Sequence, residues 1–329
     1  MRAFGPLPHH PTHPINTSPL ILQTEHLGPA AAAWLAERAR IVACSADDPR
    51  FGALLAEADA LLIRTYTRVD DALLARAPRL RVVARAGVGL DNVDIPACAR
   101  RGVRVVSTPG ANTRAVVELV FAFLLDALRP RVFLDHALEA APWKELRKEL
   151  QAPRQLCDLT LGIIGMGKVG TAVARVAAAM EMRVLYHDLV EIPAAKRAGA
   201  EPVSLDALLA QSDVVSLHVD ARPANRGMFG TEQLALCKPD SIIVNTSRGF
   251  VVDAAALAAF LRAHPAASAI VDVHEPEPFG NDYPLLGLPN AHLSPHIGAA
   301  TATANRNMSW VVRDLWRVLS GEEPEWPAN

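Results

Sequence analysis

Residues 160–170 read TLGIIGMGKVG, and no other stretch limits the fold of this chain as tightly. An apolar run ends in Gly165, Gly167 and Gly170, and a helical run, Val169–Met180, follows at once. Gly165 permits a tight turn, Gly167 admits a pyrophosphate close to the backbone, and Gly170 lets the helix pack near the strand. The amides at the helix start, at Lys168 and Val169, add the positive end of its dipole. The next strand-like run, Arg183–His187, ends in Asp188. A carboxylate there accepts hydrogen bonds from both ribose hydroxyls of an adenosine and repels a 2′-phosphate. The following residues, Leu189, Val190, Glu191 and Ile192, bring no basic group. The stretch therefore predicts a dinucleotide site that takes NAD in preference to NADP.

Strand and helix patterns alternate along the rest of the chain. Strands are expected at residues 19–23, Arg40–Ala43, Ala60–Ile63, Arg81–Ala84 and Val103–Ser107, with helices near Ala30–Arg38, Phe51–Ala58, Asp70–Ala77 and Val93–Arg101. A second block carries six: Leu161–Ile164, Arg183–His187, Asp213–Leu217, Ser241–Asn245, Ala269–Asp272 and Ala291–Leu293. Helices lie between most of them, including Asp253–Arg262. The class is α/β, with two doubly wound parallel sheets covered on both faces. Between the blocks, Asn112–Arg129 is apolar on nearly every side, ends at Pro130, and is expected to be buried between layers or subunits. A charged segment, Glu139–Arg154, follows it. One last helix, Ala302–Leu319, is expected to pack back on the first block. The expected domains are 1–107 with 299–329, discontinuous and with residues 1–18 a loose tail, and 108–298 for the dinucleotide.

Composition excludes several classes. A chain of 329 residues, half of them hydrophobic, holds two cores, and its formal charge of −2 offers nucleic acid or an anionic membrane no general attraction. Cys44, Cys98, Cys157 and Cys237 form no metal-like pair, which suits a reducing cytoplasm and predicts no metal. The apolar stretch Val116–Leu128 is broken by Glu118 and Asp126 and is too short to span a bilayer. The N-terminal residues lack the apolar core of a signal peptide.

Three strands of the second block end in polar residues on the edge where an open parallel sheet binds ligands. NTSRG places Arg248 after one, VHEPEP places Glu275 and Glu277 after the next, and SPHIG places His296 after the third. A lone histidine is more often structural, but an arginine, a carboxylate and an imidazole on consecutive strand ends converge on one cleft. Histidine moves a proton as general acid/base, a carboxylate fixes its tautomer, and arginine grips a substrate carboxylate.

These stretches, with RAGVGLDNVD (85–94), STPGANTRAVVEL (107–119), NTSRGFVVD (245–253), DVHEPEP (272–278) and SPHIGAAT (294–301), resemble the D-2-hydroxyacid dehydrogenase family, most of all its phosphoglycerate dehydrogenase type without a C-terminal regulatory domain. The resemblance implies a Rossmann-type NAD domain, a smaller flavodoxin-like substrate domain, and a homodimer made through the NAD domain. It assigns catalysis to Arg248, Glu277 and His296, and picks Glu277 over Glu275. The Gly87–Val88–Gly89 loop is implied to hold the substrate carboxylate. Thr246, Ser247 and Asp272 are implied to line the nicotinamide end, and Gly298 is implied to bind the cofactor. Arg64 and Arg85 stand where phosphoglycerate enzymes carry arginines; Tyr66 replaces a basic residue found in some of them. His274 departs from the usual phenylalanine or tyrosine, and Asp220–Ala221–Arg222 from a proline-rich turn. Three functions follow: 3-phosphoglycerate oxidation at the start of serine biosynthesis; reduction of glyoxylate, hydroxypyruvate or another 2-oxo acid; and, from another class, an NAD-sensing corepressor-like scaffold.

Overall fold

Runs such as ALLI and IIVN bury every residue, so they form strands covered on both faces by helices. The computed structural model describes residues 18–129 and 131–329. Residues 1–17 of the expected loose tail 1–18, and Pro130 as helix terminator, lie outside the described residues. The chain divides into two compact units. One holds the residues up to Pro109 and those from Met308 onward; the other is Gly110–Asn307.

The first unit carries, among the described residues, the parallel strands β1 (Leu20–Gln23), β2 (Arg40–Ala43), β3 (Ala60–Ile63), β4 (Val82–Arg85) and β5 (Arg104–Val106) in the order β2-β1-β3-β4-β5. Alternation sends Leu61 and Ile63 to a core with Phe51, Leu55 and Leu74, and Ala60 and Leu62 to the opposite face. Val311, Val312, Leu315 and Leu319 pack on that face beside Ala31 and Leu35. The expected single helix Ala302–Leu319 is in fact two, Ala302–Ser309 and Val312–Leu319. The break follows just after the chain changes units at Met308. Ser309 is buried and its hydroxyl accepts the amide of Gly28 at 2.9 Å, while Val311 and Val312 turn onto the sheet. The exchange between units thus falls inside Ala302–Ser309 rather than before Ala299.

The second unit orders its strands β12-β11-β10-β9-β6-β7-β8. They are β6 (Thr160–Ile164), β7 (Arg183–His187), β8 (Glu201–Pro202), β9 (Val214–Leu217), β10 (Ile242–Asn245), β11 (Ser268–Val271) and β12 (Ala291–Leu293). Six were expected; β8 is the addition. It is a two-residue edge pairing with Leu185 and Tyr186, and its proline leaves no alternating pattern to read. The order reverses between β6 and β9, which makes their carboxyl ends the switch point of this sheet.

Helix Thr113–Leu128 packs Val116, Val120 and Leu124 into a core shared with Val173 and Ala177. It is covered on one side only: Leu125 stays 41% exposed. The charged segment after it holds an unforeseen helix, Ala140–Glu149, that buries no residue. No helix among the described residues is long and apolar enough to cross a membrane.

Removing the buried methyls of Ile163, which is fully buried in β6, leaves a cavity in the larger core. Ile163→Ala should lower the unfolding free energy by about 2–5 kcal/mol in urea titration, whereas Leu189→Ala on the surface should change it by less than about 0.5 kcal/mol.

Candidate active site

At the switch point, Gly165 adopts φ +93°, and a Cβ on it would stand 2.7 Å from the carbonyl oxygen of His218. A Cβ on Gly170 would lie 2.1 Å from the Gly165 oxygen, so helix Lys168–Ala179 crosses the loop at backbone contact. Above Gly167 there is open space. No side chain caps that helix and no acid sits in its first turn, so the positive end of its dipole suits an anion. Asp188 folds its carboxylate back, accepting the Met166 amide at 2.6 Å and the Val190 amide at 3.1 Å. Thr246 Oγ1 is buried without a partner among the described residues. The glycine loop, the uncapped helix and this orphan hydroxyl fit a bound dinucleotide. The turn after β9 carries the departure Asp220–Ala221–Arg222. Arg222 is clamped by Asp220 at 2.8 Å, and its guanidinium is stabilised first by that bond, then by the charges of Asp220 and Asp188.

Arg248 follows β10 on a turn tied by Asn245. The Asn245 Oδ1 accepts the Ser247 amide at 3.0 Å and hydroxyl at 2.7 Å, and its Nδ2 donates to the Arg248 carbonyl at 3.0 Å. Arg248 Nη1 donates to the Ser247 carbonyl at 2.7 Å. A Cβ on Gly249 would come within 2.0 Å of the His274 carbonyl, so only glycine lets this turn lie on the chain that follows β11.

That chain and the turn after β12 bring a carboxylate and an imidazole together. His296 Nδ1 lies 2.7 Å from Glu277 Oε2. Burial pushes the Glu277 carboxyl up, but the hydrogen bonds from His296 and the His274 amide outweigh it and hold the group below its ordinary value. Glu277 is therefore anionic near neutrality and accepts the Nδ1 proton. The neutral ring then carries its lone pair on Nε2. His296 sits at φ +53°, a left-handed conformation that L residues other than Asn, Asp and His seldom adopt. Asp272 enforces it. This buried carboxylate accepts the Ser294 hydroxyl at 2.6 Å and the amides of Ile297 and Gly298 at 2.8 Å each. Asp272 and Gly298, both expected at the cofactor, are bonded to each other beneath the His296 turn.

The first unit presents its own loop at the switch between β1 and β3. Glu25, after β1, takes the amides of Arg64, Thr65, Tyr66 and Thr67 on its two oxygens at 2.7–3.2 Å. Arg85 Nε donates to the Arg64 carbonyl at 2.9 Å, and its guanidinium crosses the place a Cβ on Gly87 would take. Asn92 adds a bond to the same carbonyl at 3.2 Å. Arg85 thereby braces the Gly87–Val88–Gly89 loop against the Arg64 loop. Glu25 and Asn92 escaped the sequence reading, which looked for basic groups and not for what holds them.

Residues 121–298 match the NAD binding domain of the D-isomer specific 2-hydroxyacid dehydrogenases. The chain belongs to that family. It is 38% identical to D-3-phosphoglycerate dehydrogenase of Mycobacterium tuberculosis over 92% of its own length and 57% of the mycobacterial protein, so it spans little more than half of that relative. It is 39% identical to a glyoxylate reductase of Aeropyrum pernix, over 78% of each chain. Among solved structures, the Aquifex aeolicus D-lactate dehydrogenase complexed with NAD and lactic acid superposes with a TM-score of 0.77 at 26% identity, covering 92% of this chain and 96% of that one. As a member of this family, the chain carries its NAD-binding domain in the unit that holds the glycine loop.

Burial raises the Glu25 carboxyl, and four backbone amides more than offset this, leaving it below its ordinary value of 4.5. A depressed acid stabilises the fold fully above its unfolded value and loses that contribution as pH falls through the folded one. Glu25→Gln should destabilise the chain by on the order of 1 kcal/mol at pH 7, allowing for its partial exposure. In urea titrations the gap to wild type should close as pH drops below 4.5.

Proposed function

We propose that the chain interconverts D-2-hydroxy acids and 2-oxo acids with NAD. The 2.7 Å bond between His296 Nδ1 and Glu277 carries this reading, because it leaves the ring's basic atom on the side away from the carboxylate. In oxidation, Nε2 takes the hydroxyl proton while Glu277 stabilises the resulting imidazolium; in reduction the same atom returns it. Arg248 grips the substrate carboxylate. NAD, held at Gly165, Gly167, Lys168, Val169, Gly170 and Asp188 with Thr246 and Ser247, supplies the nicotinamide that accepts the hydride. Asp272 and Gly298 support that end through the His296 turn. In the first unit, the Gly87–Val88–Gly89 loop, braced by Arg85, and Arg64 are substrate-binding groups that suit an anion.

The first substrate reading is 3-phosphoglycerate, with a place in serine biosynthesis, supported by Arg64 and by the mycobacterial relative. A smaller 2-oxo acid such as glyoxylate is the second. It is favoured by Arg85, whose guanidinium already bonds the Arg64 carbonyl and packs over Gly87. The protein works in the cytoplasm, where its four thiols stay reduced. It forms a homodimer through the NAD-binding unit, which exposes Leu125, Phe133, Leu134 and Trp143.

His296→Ala should lower kcat about 10²–10⁴-fold with NADH affinity nearly unchanged; full turnover in this variant removes His296 from the reaction. A panel of 2-hydroxy and 2-oxo acids with and without phosphate, followed by NADH absorbance, separates the two substrate readings.

A further inference from the structure

The ring of His274 is almost wholly buried, at 5% exposure, and has no part in the proton transfer just described. Its Nε2 lies 2.9 Å from the carbonyl oxygen of Ser294. A carbonyl only accepts, so Nε2 carries the proton. Nδ1 lies 3.2 Å from the Tyr283 hydroxyl. Burial, with the charge of Glu277, pushes Tyr283 up to about 12, so its hydroxyl keeps its proton and donates to Nδ1. That bond selects the Nε2–H tautomer which the Ser294 carbonyl needs.

The Ser294 oxygen receives a second donor, the backbone amide of His296, at 3.0 Å. On the other side, the His274 amide donates to Glu277 Oε1 at 2.7 Å, and Glu277 Oε2 holds the His296 ring. The bonds close a circuit that runs His274, Ser294, His296, Glu277 and back to His274. Two separate chain segments, the one after β11 and the one after β12, are fixed to each other through it.

We propose that His274 is a positioning residue, whose imidazole locks the turn bearing His296 to the segment bearing Glu277. The inference rests on the acid/base reading above, and it adds a residue that touches neither substrate nor cofactor. Phe279 and Tyr283 stack at 4.6 Å beside the ring, so an aromatic replacement keeps the packing and removes only the bonds.

The experiment compares purified His274→Phe, His274→Gln and Tyr283→Phe, and the double variant carrying both His274→Gln and Tyr283→Phe, with wild type and His296→Ala. Each is assayed for kcat and KM on the best 2-oxo acid of the panel, with NADH binding read by fluorescence. Misplacing a reacting group by about 1 Å costs about 10²-fold. His274→Phe should therefore lose about 10–100-fold in kcat with NADH affinity within about threefold of wild type. A glutamine amide reaches about as far as Nε2 and donates to Ser294, so His274→Gln should recover most of that loss. Tyr283→Phe should lower kcat several-fold when His274 is present. Added to His274→Gln it should change nothing, because an amide has no tautomer to select. Wild-type kcat in His274→Phe overturns the proposal. So does a His274→Gln no better than His274→Phe, or a Tyr283→Phe effect equal in both backgrounds. Should His274→Phe not fold, the glutamine variant and the tyrosine comparison still decide. An active His296→Ala would instead sink the acid/base reading itself.

Discussion

A buried carboxylate holds the turn that bears His296. Asp272 sits at the end of β11 with 1% of its surface exposed, and burying a charge is costly unless donors surround it. The donors are the Ser294 hydroxyl and the amides of Ile297 and Gly298. They come from the turn that carries His296, so satisfying the carboxylate and bending the backbone to φ +53° are one event. A non-glycine residue in that region is strained by about 1–3 kcal/mol and persists only where its surroundings over-determine it. Asp272 from below and the Ser294 carbonyl from the side supply that determination.

The first unit repeats the device with Glu25. An acidic side chain after β1 gathers four successive amides from the loop after β3, at the switch point of its own sheet. In both units a carboxylate shapes a loop by accepting backbone N–H groups, and the residues expected to contact ligand stand on the loop so shaped. Glycines do the complementary work of close approach. Gly170 brings the helix onto Gly165, and Gly249 brings the Arg248 turn onto His274.

Most of the architecture was legible because parallel strands buried on both faces are written as unbroken apolar runs. β3, β9 and β10 fall where those runs lie. What was illegible had no such signature. β8 is two residues at an edge, helix Ala140–Glu149 buries nothing, and the break after Ser309 depends on a hydroxyl reaching Gly28. The same division holds at the site. Glu277 and His296 were visible as polar residues on consecutive strand ends, and the structure joins them. The bond between Asp272 and Gly298 was not legible, because spacing reveals that residues are near one another but not which bonds they form. Glu25 and Asn92 gave no sign, since their partners are backbone groups distant in sequence.

The return of the chain from Met308 to the first sheet has a consequence for biogenesis. One face of that sheet is closed in part by Val311, Val312, Leu315 and Leu319, and Asn329 bonds to Val103 and Val105 at its edge. On the ribosome, the unit Gly110–Asn307 is fully synthesised while the N-terminal strands still lack this cover. The part of the protein made first is therefore the last to finish folding, and until then it presents an apolar strip of sheet that a chaperone would recognise.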